Sequence, residues 1–197
     1  MKKQTVQIIN LSTNESFNCD LNFIVDDTYK LLLSCNNDDL SAEASDFFEA
    51  LQKLRKQLNK KNIDILVNGS RKNIICSPMM RDMGEGKSVY IIRPRVTARP
   101  KDIVKTFDPI EKEDLATLDE QRIFQTKWRG SLKATQGEKD EAKKHLNGWV
   151  YRIEGIFSDE DAIPPEAIIG AWEVDDKGNL TGTWKGNKNF IPMDERD

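Results

Sequence analysis

The sequence predicts an α+β protein: an N-terminal antiparallel sheet with one packed helix, then a second helix and a C-terminal three-stranded antiparallel meander. Three observations support this fold class. Short β-branched runs fill the first 35 residues, one stripe of helical period follows them, and alternating runs separated by turn residues come last. We expect two halves, residues 1–108 and 109–197, which form either two domains or one unit.

The N-terminal sheet is predicted to begin with three strands. Residues 5–11, 17–25 and 29–35 are rich in β-branched and aromatic side chains. Asp26 and Asp27 separate the second run from the third, as residues of a hairpin turn do. Further strands are predicted at residues 63–67, 73–76 and 89–92. The segment 77–88 is either a binding loop or an ordinary crossover.

A helix is predicted over residues 42–60. Phe47, Leu51, Leu54 and Leu58 follow each other at intervals of four, three and four residues, so they form one apolar stripe. Ser41 is the expected N-cap. Acidic residues lie early in this segment and lysines lie late, which suits the helix dipole and accounts for much of the local basic cluster.

The C-terminal half is predicted to start with a helix within residues 111–133, followed by a charged loop or short helix. Residues 149–157 alternate strongly between apolar and polar side chains, which is typical of a strand. Residues 167–174 and 180–185 are expected to pair across Asp175–Asn179, where Gly178 permits a positive φ. These three runs predict the meander.

Cysteine content and hydropathy predict a cytoplasmic protein. The three cysteines, Cys19, Cys35 and Cys76, are odd in number and widely spaced, so we expect reduced thiols that pack as small hydrophobic side chains. No signal-peptide pattern follows the first lysines, and no window has the roughly 20 apolar residues of a membrane span. No membrane association is expected.

No motif in the sequence predicts catalysis, a cofactor or a metal site. Gly84-Glu85-Gly86-Lys87-Ser88 is similar to the end of a phosphate-binding loop, but Arg81 stands where that loop needs glycine, and a strand follows instead of a helix. The single histidine, His145, has no array of cysteines or acids for zinc. We therefore expect a protein that is not an enzyme and uses no cofactor.

Charge is distributed unevenly along the chain. Residues 53–105 carry 14 Lys and Arg against 4 Asp and Glu, and both flanking segments are acidic. Nucleic-acid binding is the alternative function, with Arg71, Lys72, Arg93 and Arg95 as the residues that grip the backbone. Two other interpretations stay open: faces of opposite charge that neutralise each other, or an edge strand protected by arginines beside prolines.

Protein binding is the function that the sequence favours. The loop 158–166 is acidic and lies near the tryptophans of the meander. Carboxylates beside aromatic rings suit a basic partner, because the charges steer it and the rings anchor it; a solvated turn is the alternative interpretation. The candidate residues are Asp159, Glu160, Asp161 and Glu166 for steering, with Trp172 and Trp184 for anchoring.

Two stretches carry a resemblance to a known class of proteins. One runs from Gly69-Ser70-Arg71-Lys72-Asn73 through Ser77-Pro78-Met79 to Arg81-Asp82-Met83-Gly84, and the other runs from Pro164 to Trp172 and ends in Asn187-Lys188-Asn189-Phe190. They resemble small bacterial proteins of immunity or accessory type that are found near polymorphic toxins. The resemblance implies a non-enzymatic bacterial cytosolic protein. Its most concrete form is a neutraliser of a basic effector such as a nuclease.

Overall fold

A computed structural model describes residues 2–35, 38–158, 161–193 and 196 of the chain. The chain divides into two compact units, residues 1–132 and 133–197. The predicted α+β class is confirmed, with the helix-bearing N-terminal sheet and the C-terminal meander. The division falls after Leu132 and not near residue 108, because residues 109–132 belong to the first unit. Gln121 Nε2, for example, donates to the carbonyls of Gly69 and Arg71.

The first unit contains a five-stranded antiparallel sheet. Its strands are β1 (Lys2–Asn10), β2 (Ser16–Val25), β3 (Tyr29–Cys35), β4 (Asp38–Ala44) and β5 (Ile63–Ile65), in the spatial order β4-β3-β2-β1-β5. Helix α1 (Phe47–Lys60) packs on one face of this sheet. The predicted stripe is confirmed, since Phe47, Leu51, Leu54 and Leu58 are all buried in this core.

The predicted helix over residues 42–60 is wrong at its start. Residues 41–44 belong to β4, which pairs with β3 and buries Ala42 and Ala44 in the core shared with α1. Asp46, and not Ser41, caps α1, and its Oδ1 accepts a hydrogen bond of 2.8 Å from the Glu49 amide. Alanine and glutamate favour helices in isolation, so the strand depends on pairing with β3, which local propensity does not report.

The expectation of three reduced cysteines is wrong for two of them. Cys19 on β2 and Cys35 on β3 form a disulfide, with their Cα atoms 4.9 Å apart. The hairpin register, which places Asp20 opposite Ser34, brings together two cysteines that are 16 residues apart in sequence. Cys76 is free and buried, and burial raises the pKa of its thiol to about 11.

A three-stranded antiparallel sheet completes the first unit. Its strands are β6 (Ile74–Ile75), β7 (Ser88–Ile91) and β8 (Ile103–Lys105), in that order. The short helix α2 (Pro78–Asp82) occupies part of the segment 77–88, and α3 (Leu118–Ser131) lies within the region predicted to be helical. Because β7 begins at Ser88, the glycine-containing segment before it does open a strand, as predicted.

The second unit is a three-stranded antiparallel meander with one helix. Helix α4 (Gln136–Ala142) precedes β9 (Trp149–Ile153), β10 (Ile168–Val174) and β11 (Leu180–Gly186), and the strand order is β11-β10-β9. The predicted hairpin is confirmed: Asp175 Oδ1 accepts from the amides of Lys177 and Asn179, and Gly178 has a φ of 79°. The strand predicted over residues 149–157 ends at Ile153.

Neither a membrane helix nor a metal cluster is found in the described part of the chain. No helix there is long and apolar enough to cross a membrane. The same residues contain no group of three or more His, Cys, Asp or Glu side chains that could hold a metal ion.

Candidate partner-binding site

A buried ion pair fixes the inner face of the sheet in the second unit. Arg152 on β9 is 1% exposed, and its Nε and Nη2 donate to the two carboxylate oxygens of Glu138 on α4 over 2.6 and 2.8 Å. Burial raises the pKa of Glu138, but the hydrogen bonds from Arg152 and Thr135 outweigh burial and hold that pKa below its usual value. The face of β9 that carries Arg152 is therefore the one that α4 covers.

The two predicted anchors lie on this inner face. Trp172 on β10 and Trp184 on β11 are cross-strand partners with ring centroids 4.9 Å apart. The Arg152 guanidinium lies 5.7 and 5.2 Å from those centroids, within cation–π range. The structure brings the two tryptophans together, but both are half-buried and contact Arg152. Their position supports the sheet more directly than it presents rings to a partner.

The four predicted steering acids are placed differently from one another. Asp159 and Glu160 lie outside the described residues. Asp161 is exposed, and the hydrogen bond that its carboxylate accepts from the Ser158 amide, 2.7 Å long, lowers the pKa of that carboxyl. Glu166 is half-buried in a short turn, and its carbonyl accepts from the Ile191 amide. Of these acids, Asp161 is the one that the structure shows facing solvent beside β9.

The outer face of β9 carries two aromatic side chains that the sequence analysis did not select. Trp149 and Tyr151 alternate with Val150 and Arg152, so they point away from α4. Trp149 is 37% exposed and Tyr151 is 57% exposed. Lys185 on β11 lies on the same side, with its Nζ 5.9 Å from the Trp149 ring centroid. The alternation of residues 149–157 contained this signal, since one face of such a strand is exposed.

One edge of β9 is open. Among the described residues the strand pairs with β10 alone, and the amide of Val174 donates to the carbonyl of Gly148 across that pair. In an antiparallel ladder the bonded residues alternate, so Gly148, Val150 and Arg152 face β10. The N–H and C=O groups of Trp149, Tyr151 and Ile153 consequently point outward. None of these three residues makes a backbone hydrogen bond to a turn, loop or cap among the described residues. We call this row the open edge.

A groove of about 580 Å³ runs beside the open edge. Its lining combines apolar side chains with charged ones: Tyr151, Phe157, Ile163, Glu141, His145 and Asp161. His145 Nε2 lies 3.0 Å from Glu141 Oε1. The hydrogen bonds that Glu141 accepts from Lys144 and His145 lower the pKa of its carboxyl. Both acids of the lining are therefore ionised at neutral pH. Lys144 offsets the charge of Glu141 through an ion pair of 2.8 Å, so the exposed Asp161 gives the rim its negative charge.

The basic residues predicted for nucleic-acid binding are partly engaged within the first unit. Arg71 forms an ion pair of 2.8 Å with Asp114 and also donates to the side chain of Asn68. Arg93 donates to Asp102 over 2.9 Å. Lys72 and Arg95 are exposed, and the Arg95 amide donates to Ser131 Oγ. At least two of the four side chains, those of Arg71 and Arg93, thus have local carboxylate partners.

Comparisons with known proteins leave the resemblance to immunity proteins as a prediction. No protein-family model matches the chain. A search of the curated proteins also returns no significant match. The functional interpretation therefore depends on the geometry of the open edge and its groove.

Proposed function

We propose that the second unit binds a protein partner by adding an extended segment of that partner to the open edge of β9. The observation that supports this proposal is the row of outward backbone groups at Trp149, Tyr151 and Ile153 beside the groove. Strand addition uses such a row directly, because main-chain hydrogen bonds provide affinity and flanking pockets provide specificity.

The exposed rings of the outer face add to the backbone contacts. Trp149 and Tyr151 are two residues apart on one strand, so they flank the incoming segment on the same side. Large aromatic side chains are enriched among the residues that dominate binding energy, since they bury much area at a small entropy cost. They take the anchoring role that the sequence analysis gave to Trp172 and Trp184.

The charge of the groove selects the chemistry of the partner. Glu141 and Asp161 line it, and both carboxyls have lowered pKa values. A segment with lysine or arginine side chains complements this rim, and the complementary charge accelerates encounter. A basic partner also agrees with the hypothesis that the protein neutralises a basic effector. Protein binding therefore stays the proposed function, with Trp149 and Tyr151 as contact residues in place of Trp172 and Trp184.

Nucleic-acid binding through the first unit has less support. Arg71 and Arg93, which were to grip the backbone, pair with Asp114 and Asp102. Releasing them would cost Asp114 its ion pair with Arg71. It would leave Asp102 with Arg99, whose backbone amide donates to it over 2.8 Å. Capture of nucleic acid by the protein would therefore replace strand addition as the proposed function.

We also propose that the protein resides in the cytoplasm, although its disulfide is of a kind that cytosolic proteins seldom keep. Disulfides persist mainly in oxidising compartments, and Cys19 is bonded to Cys35. A protein taken from its native cells under alkylating conditions distinguishes the two cases. An intact disulfide would place the chain outside a reducing cytosol, whereas two alkylated thiols would support the cytoplasm.

A proline at position 151 tests strand addition most selectively. Tyr151→Pro removes one outward N–H, and proline is tolerated on edge strands where that group faces solvent. Tyr151→Thr is the matched control, since it loses the ring but keeps the N–H group and a side chain suited to strands. Both variants should retain the near-ultraviolet circular dichroism of the wild-type tryptophans.

The assay captures partners of the tagged full-length chain from its native host, with and without nuclease treatment. We expect one stoichiometric protein that survives nuclease, that binds about tenfold more weakly to Tyr151→Pro than to Tyr151→Thr, and that dissociates with added salt. Recovery that collapses on nuclease treatment would replace this proposal with nucleic-acid binding. Equal capture by both variants would also refute it.

A further inference from the structure

We propose that the first unit has a second, independent binding site for a small phosphate monoester that carries an apolar ring. The site is a cleft of about 800 Å³, within the size range of small-molecule pockets. It lies between β1–β2 and the ends of β7 and β8, and all its lining residues belong to the first unit. Its lining contains an aromatic floor and a rim of lysines.

The floor of the cleft is a set of three phenylalanine rings. Phe23 contacts Phe47 and Phe107 edge to face, with centroid separations of 5.3 and 4.8 Å. All three side chains belong to the main hydrophobic core, and all three also line the cleft. Val25 at the margin is 58% exposed and adds an apolar side chain to the lining. The three rings are at most 8% exposed, so they back the cleft, and an apolar ring of a ligand would cover their exposed parts together with Val25.

The rim of the cleft carries a net positive charge. Lys2, Lys87 and Lys105 line it, and all three are exposed. Asp108 is the single acid in the lining. Lys87 is paired with Glu85 and lies 5.6 Å from the Phe47 centroid. Lys2 and Lys105 form no ion pair with any described residue, so two ammonium groups beside the floor are available to an anion.

Backbone bonds hold the cleft in shape. The Thr106 amide donates to the Lys87 carbonyl over 2.9 Å, and Thr106 Oγ1 donates to the Gly86 carbonyl over 2.8 Å. Gly86 has a φ of 69°, and a Cβ there would lie 2.5 Å from Asp46 Oδ1 and from the Phe48 nitrogen. Only glycine fits this position without displacing the start of α1. The segment that presents Lys87 is therefore fixed before a ligand arrives, which lowers the entropy cost of binding.

The ligand class follows from the floor and the rim together. The lining holds three lysines and one aspartate, and Glu85 offsets part of the positive charge through its ion pair with Lys87; the remaining positive charge attracts a phosphate monoester. Lysine binds phosphate as a point charge without the planar geometry that arginine imposes. The aromatic floor requires that the phosphate be attached to an apolar ring. Gln4 and Ser88 add polar side chains to the lining, and Gln4 Nε2 already donates to the Phe107 carbonyl.

The cleft gives a role to the segment from Gly84 to Ser88, which resembles the end of a phosphate-binding loop. Gly84-Glu85-Gly86-Lys87-Ser88 does not form a phosphate-binding loop, because β7 and not a helix follows it. Its last two residues nevertheless line the cleft. The lysine would meet the phosphate from a strand end, with the second and third cations supplied by β1 and β8.

Binding is tested by calorimetry on the full chain with three probes: 1-naphthyl phosphate, 1-naphthol and inorganic phosphate. We expect 1-naphthyl phosphate to bind about tenfold or more tightly than either of the others, because only it occupies the floor and the rim together. Equal heats for 1-naphthyl phosphate and inorganic phosphate would overturn the proposal, and so would the absence of binding at millimolar concentration.

Charge variants localise the site. Lys2→Gln and Lys105→Gln each remove an exposed cation and should weaken 1-naphthyl phosphate by about fivefold. Lys72→Gln is the matched control, because Lys72 is exposed in the same unit but does not line the cleft. Val25→Glu introduces a carboxylate at the exposed margin and should weaken binding further. If Lys72→Gln reduced affinity as much as Lys105→Gln, the binding would be general charge attraction and the proposed site would be wrong.

Discussion

Each of the two units contains a buried arginine that is paired with a carboxylate, but the surroundings of the two pairs differ. In the first unit Arg55 on α1 pairs through two hydrogen bonds with Asp64 on β5, and both side chains are buried. In the second unit Arg152 on β9 pairs in the same way with Glu138 on α4. Arg55 lies beside a large apolar core. Arg152 instead contacts two tryptophan rings, and the apolar cluster of its unit is small.

The difference teaches what each pair contributes. The first core contains the apolar stripe of α1 and the inner faces of all five strands of the sheet, so hydrophobic burial fixes its fold whether or not the ion pair forms. The second unit buries fewer apolar side chains among its described residues: one cluster of Ala142, Val150 and Val174 with Leu180 packed on them, and, outside that cluster, Ala167, Ile169, Ala171 and Phe190. A unit with a small apolar core needs a further stabilising interaction to hold its helix on its sheet. We infer that the Glu138–Arg152 pair, with its tryptophans, is that interaction.

The largest effect is expected from breaking the pair in the first unit. Asp64→Asn leaves the Arg55 guanidinium buried without its counter-ion, and the unfolding free energy should fall by about 3–5 kcal/mol. Urea denaturation followed by far-ultraviolet circular dichroism measures this loss. The double variant Arg55→Met, Asp64→Leu is the control, since it removes both charges and should recover most of the stability. Failure of the double variant to recover any would show that the pair is essential to this fold.

A smaller and more local effect is expected in the second unit. Glu138→Gln should cost about 3 kcal/mol, because Arg152 keeps the Lys133 carbonyl and the two tryptophan faces as partners. Amide hydrogen exchange should accelerate in β9 and β10 and stay unchanged in α1. Exchange that accelerates equally in α1 would contradict the assignment of this pair to the second unit.

Acid should reproduce the Glu138→Gln effect. The folded-state pKa of Glu138 lies below 4.5, so its stabilising contribution is present above pH 4.5 and is lost as pH falls through that lowered value. Unfolding free energies measured across this range should converge for the wild type and Glu138→Gln at the acidic end. Parallel curves would show that the pair does not titrate as proposed.

Loss of the disulfide should cost about 2–3 kcal/mol in the first unit. Cys19 and Cys35 close a loop of 16 residues, for which the chain-entropy model predicts roughly 3 kcal/mol. Cys35→Ser, measured beside the reduced wild type, separates the loss of the bond from any change in packing. Peptide mapping without reductant should first recover the Cys19–Cys35 cross-link. Recovery of Cys76 in a cross-link instead would contradict the fold.

The smallest effect concerns the start of α1. Asp46→Ala removes the side chain that accepts from the Glu49 amide and should cost about 1 kcal/mol. Ser41→Ala is the matched control, because Ser41 lies in β4 and should change stability by a few tenths. Reversed magnitudes would restore the helix start that the sequence predicted. Thermal denaturation is precise enough to separate the two.

The sequence predicted what periodicity controls. The stripe of α1 and the alternation of β9 depend on residues close in sequence, and both were found. The strand β4 and the Cys19–Cys35 bond were missed, because each exists only through the register of β3 with its neighbours. Local propensity carries no information on that register.

The candidate site was missed for a related reason. A binary pattern reads an arginine as exposed, so the face of β9 with Arg152 was not recognised as the inner one. Glu138, which buries that arginine, lies on a different element, and the pairing appears only in the folded unit. Once Arg152 points inward, Trp149 and Tyr151 must point outward. The anchors of the proposed partner site therefore follow from one long-range ion pair.

Amide hydrogen exchange along β9, measured by NMR on the full chain, tests the open edge most directly. In the free protein the amides of Val150 and Arg152 should be protected by β10, while those of Trp149, Tyr151 and Ile153 should exchange fast. Addition of the captured partner should slow the fast set by about tenfold or more and leave the protected set nearly unchanged. Uniform protection of all five amides in the free chain, or no change at Tyr151 in the complex, would contradict strand addition at this edge.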